Sequence, residues 1–312
     1  VETKSSVKPY LQLMRPANII TAIADILAGI SVSFYSPFAT MIGAALHDFW
    51  RSFRMTFELI DAFSLMIATI GLYGGGVVLN DYFDADLDKV ERPERPIPSG
   101  AVSKENALFL GVGLLGLGVI FALKASVLSG IIALMVALLA VFYDYRGKHI
   151  AWFAPLNMGL CRGGNLLLGA SILPNNVYNY WWLALIPIVY ISAITLISRG
   201  EVHGGSKTNL KKGLMMYLLV ILSLLGLLYF SRHQFTVIPF LFVFAYFIFP
   251  PLIKAINEPK PEHIRIAVKS GVISLILMDA TLTVIFSNIW FALIVLALLP
   301  ISRGLAKKFA VT

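Results

Sequence analysis

Long apolar runs dominate this chain, and they recur at nearly constant length. Stretches at 17–36, 63–81, 105–123, 126–143, 153–173, 181–198, 213–230, 235–253 and 266–286 carry almost no charge, and a tenth, shorter run covers 288–302. A helix rises about 1.5 Å per residue, so about 17 to 25 apolar residues cross the hydrocarbon of a bilayer. Backbone amides can be satisfied there only by helices or closed barrels, and runs this long without alternation are helical. The pattern therefore predicts an all-α fold: a polytopic membrane helical bundle of nine or ten transmembrane helices around a central cavity.

Composition agrees, with 58% hydrophobic and only 13% charged residues among 312, whereas soluble domains carry about 25% charge. The net charge of +8 comes from scattered bases that form no continuous stripe, which argues for a lipid bilayer and an anionic substrate and against nucleic acid. Placing Lys89, Arg92, Arg95, Arg146, Lys148, Arg199, Lys207, Lys211, Lys212, Lys254, Lys260, Lys307 and Lys308 inside requires alternating helices and a cytoplasmic N-terminus. The stretch after the fifth run, LPNNVYNY, is expected as an uncharged outer loop. Arg51 and Arg54 are the exception, with an interfacial helix expected around Trp50. The opening VETKSSVKPY shows no secretory pattern, and the single cysteine, Cys161, excludes an internal disulfide framework. One domain is expected over 1–312, built as two pseudo-repeat halves at 10–150 and 151–312. Polar segments follow the second and sixth runs on the same face.

The densest chemistry is NDYFDADLDKVERPERPIPSG, 80–100. An acid at the centre of a membrane costs about 2.5 to 3.5 kcal/mol, so a cluster at the edge of a span points to use. On a helix Asn80, Asp84 and Asp88 fall four apart on one stripe, with Asp81 beside it and Asp86 turned toward water or a loop base. Close carboxylates need a counter-charge, and a hard divalent cation, Mg²⁺, suits oxygen donors that leave room for phosphate. Prolines at 93, 96 and 98 forbid helix, Gly100 permits a tight turn, and Ser103 caps the next helix. Arg92 and Arg95 on this stiff loop either bind a diphosphate through forked hydrogen bonds or simply mark the cytoplasmic face.

Other candidates are scattered along the chain. YDYRGK sets Tyr143, Arg146 and Lys148 at one mouth, for diphosphate binding or interfacial anchoring. Arg162, with Asn165 one turn on, sits well inside the fifth run, where an arginine lines a cavity and meets a partner. ISRGEVHGGSK offers Arg199, and it offers Glu201 with His203 as a second metal half-site or a plain loop. Asp25 and Asp279 are acids buried by position, either functional or joined helix to helix. GVGLLG, 111–116, matches dinucleotide spacing but lies in an apolar helix with no preceding strand. It reads as helix packing, as do Gly71 and Gly75, four apart beside the acidic cluster.

Asn80, Asp81, Asp84 and Asp88 resemble the NDxxDxxxD signature of the UbiA intramembrane prenyltransferases, and ERPIPSG is similar to that family's adjoining loop. MRPAN, Tyr143 with Lys148 and the helix count extend the resemblance over nearly the whole chain. It departs at the second motif, where the family has aspartates spaced DxxxD and this chain has RGEVHGGSK. GEVHGG and VKSGVISLILMDA resemble the UbiA-related EboC proteins of bacterial gene clusters.

The resemblance implies a Mg²⁺-dependent prenyltransferase of a bacterial cytoplasmic membrane, with its active-site loops on the cytoplasmic side. An allylic prenyl diphosphate would be the donor, and a small-molecule acceptor, aromatic or cyclic, would receive the isoprenyl group. In this reading Asn80, Asp81, Asp84 and Asp88 hold the metal, with Glu201 and His203 at the second half-site. Arg92, Arg95, Arg146, Lys148 and Arg199 bind diphosphate. Asp81, Asp84, Asp88, Lys148 and Arg162 carry the chemistry, and Asn18, Asp25, Asn165 and Asp279 form the acceptor pocket. Two readings from other classes stand beside it: a cation-coupled transporter built on Asp25, Asp279 and Arg162, and a catalytically silent prenyl-lipid binding protein.

Overall fold

The computed structural model describes residues 7–35, 44–201, 204–231 and 234–309, with only the backbone of 44–57. The chain there is helical, in the order α1 (Val7–Met14), α2 (Pro16–Ser33), α3 (Ala44–Phe83), α4 (Ala85–Glu91), α5 (Lys104–Ala125), α6 (Val127–Tyr145), α7 (Phe153–Ala170), α8 (Pro174–Tyr180), α9 (Leu185–Ser198), α10 (Lys207–Gly226), α11 (Gln234–Asn257), α12 (Pro261–Phe286) and α13 (Ile289–Lys308). Nine helical segments among the described residues are long and apolar enough to cross a membrane. The protein is an integral, multi-pass membrane protein.

α7 is not among the nine, because Asn157, Arg162 and Asn165 dilute its apolar character, yet it packs between α2, α6 and α9. It is the fifth of the ten apolar runs. Hydrogen bonds mark one end of the bundle. Ser33 donates to the carbonyl of Ala170, Ser129 and Ser171 pair at 2.7 Å, and Tyr35 Oη donates to the carbonyl of Phe230 at 2.8 Å.

Burial sorts the helices. In α2 and α12 78% of the span is buried, against 28% in α5 and 17% in α13, so the first two form the centre and the others face lipid. Phe109, Ile120, Phe242 and Tyr246 are exposed, as large apolar side chains are where lipid is the solvent. At the centre Tyr190 stacks on Tyr217 with ring centroids 5.1 Å apart and donates to the carbonyl of Gly271 at 2.8 Å.

The end of α3 is positioned by a close backbone contact. A Cβ at Gly75 would lie 2.8 Å from the carbonyl oxygen of Gly111 on α5, so glycine lets the helices touch one turn before Asn80. The expected capping and turn chemistry is present: Ser103 accepts from the Asn106 amide and Gly100 has φ 76°.

Three local expectations change. The stretch after 173 is not an open loop, because Pro174 opens α8 with a φ already suited to a helix. The helix around Trp50 is continuous with α3 rather than separate. The acidic helix is interrupted at Asp84, between α3 and α4, although the Asp84 amide still reaches the Asn80 carbonyl at 3.0 Å and the Asp88 amide the Asp84 carbonyl at 2.8 Å. The stripe therefore survives the break.

Candidate functional site

Each acid of the stripe is met by a cation from another part of the chain, and its asparagine by an acid. Arg15 Nη2 donates to Asp81 Oδ1 at 2.8 Å. Arg95 Nη1 bridges Asp81 Oδ1 at 3.1 Å and Asp88 Oδ2 at 2.7 Å. Lys148, just past α6, donates to Asp84. Asn80 Nδ2 donates to Asp144 Oδ1 at 2.9 Å. Asp86 stands apart, exposed and bonded to Lys89 at 2.8 Å and Lys104 at 3.2 Å.

Local sequence explains this convergence. Arg15 occupies the joint between α1 and α2 with φ 48°, the only positive φ at a non-glycine residue among those described. Such a conformation costs about 1–3 kcal/mol, and here it is held by the ion pair to Asp81. The proline-rich loop holds Arg95 over the acids, with the Arg95 amide bonded to the Arg92 carbonyl at 3.1 Å.

Two cavities meet at this cluster. A mouth cavity of about 460 Å³ is lined by Arg15, Asp81, Arg92, Arg95, Glu201 and Arg265, among others. An inner cavity of about 310 Å³ is lined by Arg15, Asn18, Asn80, Tyr143, Asp144, Arg162 and Asn165 within a largely apolar wall. Arg15 belongs to both.

At the inner cavity Arg162 Nη2 donates to Thr21 at 2.6 Å, its guanidinium lies 5.6 Å from the Tyr73 ring centre, and its Nε is 2.7 Å from Asp25. Asn165 donates to Asp25 at 2.9 Å and accepts from Thr69 at 2.7 Å. Asp25 and Asp279 are completely buried and stand against one another. They back the polar wall rather than line the cavity.

The remaining sequence candidates divide. Arg92 and Glu201 line the mouth. Arg199 donates to the carbonyl of Ala151, tying α9 to the turn before α7, and Arg146 lies over the Tyr145 ring. Neither lines either of these two cavities. His203 lies outside the described residues.

Arg15, Asp144, Thr21, Thr69 and Arg265 were not singled out from sequence. Asp144 carried a usable signal, since it is an acid in the last turn of an apolar run. The contacts of Thr21 and Thr69 had none.

Among the described residues no three metal-donor side chains converge on a point, because each acid is turned to an internal cation. The donor set nevertheless suits Mg²⁺: Asp81, Asp84 and Asp88 supply hard oxygens. Glu201 Oε1 is also buried, with no hydrogen-bond partner among the described residues. Burial raises the Glu201 carboxyl above its usual value, against the opposing pull of Arg92 and Arg265. A cation reached through the mouth would relieve it.

The fold and site thus define a polytopic helical membrane protein with an acid and arginine cluster at the mouth of an intramembrane cavity. Residues 36–262 match the model of the UbiA prenyltransferase family, and the chain belongs to that family. A digeranylgeranylglyceryl phosphate synthase of Methanosarcina barkeri is 30% identical over 178 residues, which are 54% of this chain and 56% of that protein. The chain spans little more than half the length of the relative it matches there.

Among solved structures, a UbiA homologue of Aeropyrum pernix superposes with a TM-score of 0.64 at 16% identity, covering 84% of this chain and 96% of that one. A UbiA homologue of Archaeoglobus fulgidus bound to DMAPP and Mg²⁺ gives 0.51 at 14% identity, covering 94% and 99%. At these identities the likeness concerns the fold.

Proposed function

We propose that this protein transfers an isoprenyl group from an allylic diphosphate, held through Mg²⁺, to an acceptor inside the membrane. One observation carries the reading: Asp81, Asp84 and Asp88 stand with Arg15, Arg95 and Lys148 where a charged mouth adjoins an apolar cavity. A diphosphate needs cations and metal-binding acids together, and its isoprenoid tail needs an apolar chamber. The family membership and the donor-bound Archaeoglobus fulgidus neighbour support it.

Mg²⁺, when bound, supplies positive charge that stabilises the departing diphosphate. Asp81, Asp84 and Asp88, with Asn80 beside them, would hold that ion, and Glu201 would supply a further oxygen from the second half of the chain. Arg95 and Lys148 exchange their carboxylate partners for phosphate oxygens and, with Arg92 at the mouth, orient the donor. The apolar wall of the inner cavity keeps water from an allylic cation. Arg162, braced by Asp25, presents an N–H to the acceptor, and Asn165 and Asn18 lie beside it.

The acidic end faces the cytoplasm, because the bases at 89–95, 146–148, 254–260 and 307–308 share it. A bacterial source rests on the EboC resemblance, and the relatives named above are archaeal. The name of the Methanosarcina barkeri relative favours a glyceryl phosphate acceptor over an aromatic or cyclic one.

The test is to incubate purified protein with Mg²⁺, labelled isoprenyl diphosphates of several lengths and a lipid extract. Diphosphate release with a labelled lipid product supports transfer. Donor binding without release supports silent binding instead.

A further inference from the structure

Asp144 stands where the inner cavity meets the acidic end of α3. It is only 4% exposed, and its Oδ1 is engaged by Asn80 Nδ2 at 2.9 Å. No donor among the described residues reaches Oδ2, yet that oxygen is not among the sealed, unpartnered atoms, and the residue lines the inner cavity. The nearby cations are engaged elsewhere: Lys148 on Asp84, Arg15 on Asp81, and Arg95 on Asp81 and Asp88.

A buried carboxylate oxygen that opens on a mostly apolar chamber is stabilised only when a donor enters that chamber. An isoprenoid chain has none, and a diphosphate would be repelled by the carboxylate. The acceptor is therefore the molecule that supplies it.

We infer that Asp144 Oδ2 is the seat of the acceptor's hydroxyl, which makes Asp144 a specificity-determining residue. This rests on the prenyl-transfer reading. The position also places that hydroxyl beside the acids that hold the donor, since Asn80 joins Asp144 to the stripe. Arg162, lining the same cavity, is left for other oxygens of the acceptor. Selectivity follows from geometry, because a site built to bond a hydroxyl rejects the analogue that lacks it.

The experiment compares binding of a prenylglyceryl phosphate with one free hydroxyl and of its deoxy analogue. It uses wild-type protein, Asp144→Leu and Asp144→Ala in detergent, with Mg²⁺-dependent geranyl diphosphate binding measured alongside. Wild-type protein should prefer the hydroxyl probe by about tenfold or more. The variants should bind both probes alike and hold geranyl diphosphate within about twofold of wild type, which also shows them folded.

Preference retained in either folded variant, or no preference in wild type that binds the donor, overturns the inference. Loss of Mg²⁺-dependent donor binding in both variants also overturns it, by assigning Asp144 to the metal shell or the fold. Wild-type protein that does not bind geranyl diphosphate with Mg²⁺ refutes the prenyl-transfer reading itself, and the inference falls with it.

Discussion

Arg162 Nε lies 2.7 Å from Asp25 Oδ2 with the two side chains 6% and 0% exposed, an ion pair at the heart of the bundle. The contact joins α2 to α7 and sets the guanidinium at the wall of the inner cavity. In a low-dielectric interior, removing one member of such a pair leaves an uncompensated charge.

Asp25→Leu should therefore destabilise the protein by about 3–5 kcal/mol. Combining it with Arg162→Met should recover much of that loss, because both charges are then gone. Denaturation in detergent micelles, followed by loss of helical circular dichroism, measures both. A single variant as stable as wild type would mean that the pair is not the brace described.

Arg95 holds two acids of the stripe at once, so it acts as their counter-charge. Arg95→Gln should lower the melting temperature without Mg²⁺ by exposing Asp81 and Asp88 to mutual repulsion. Adding Mg²⁺ should raise it more in the variant than in wild type. Melting curves with and without the ion test this, and an equal Mg²⁺ response in both proteins would count against it.

Much of this was legible in the chain, and the reasons differ by residue. Spans could be read because hydropathy is a local property and a bilayer sets one length. The stripe of Asn80, Asp84 and Asp88 could be read because helical spacing is local too. Arg15 and Asp144 were missed as partners because their roles depend on contacts across 66 and 64 residues of sequence. Arg146 and Arg199 fell at the expected level of the membrane, but the direction of a long side chain depends on neighbours, here Tyr145 and the Ala151 carbonyl.

The α3–α5 contact makes a packing prediction. Gly75→Val would place a branched side chain against the Gly111 carbonyl and should cost about 1–3 kcal/mol, while shifting the end of α3 and weakening Mg²⁺-dependent donor binding. Gly113→Val is the control, since a Cβ there meets nothing within 4 Å. Denaturation midpoints and donor affinity should change in the first variant and stay near wild type in the second.

The proposed function requires the acids from the end of α3 into α4 to grip a cation that grips a diphosphate. Equilibrium binding of labelled geranyl diphosphate to wild type and to Asp84→Asn with Asp88→Asn, at increasing Mg²⁺, tests that most directly. Mg²⁺-dependent affinity should fall by about 100-fold or more in the double variant, roughly 2.7 kcal/mol. Unchanged affinity with an unchanged Mg²⁺ dependence would contradict it.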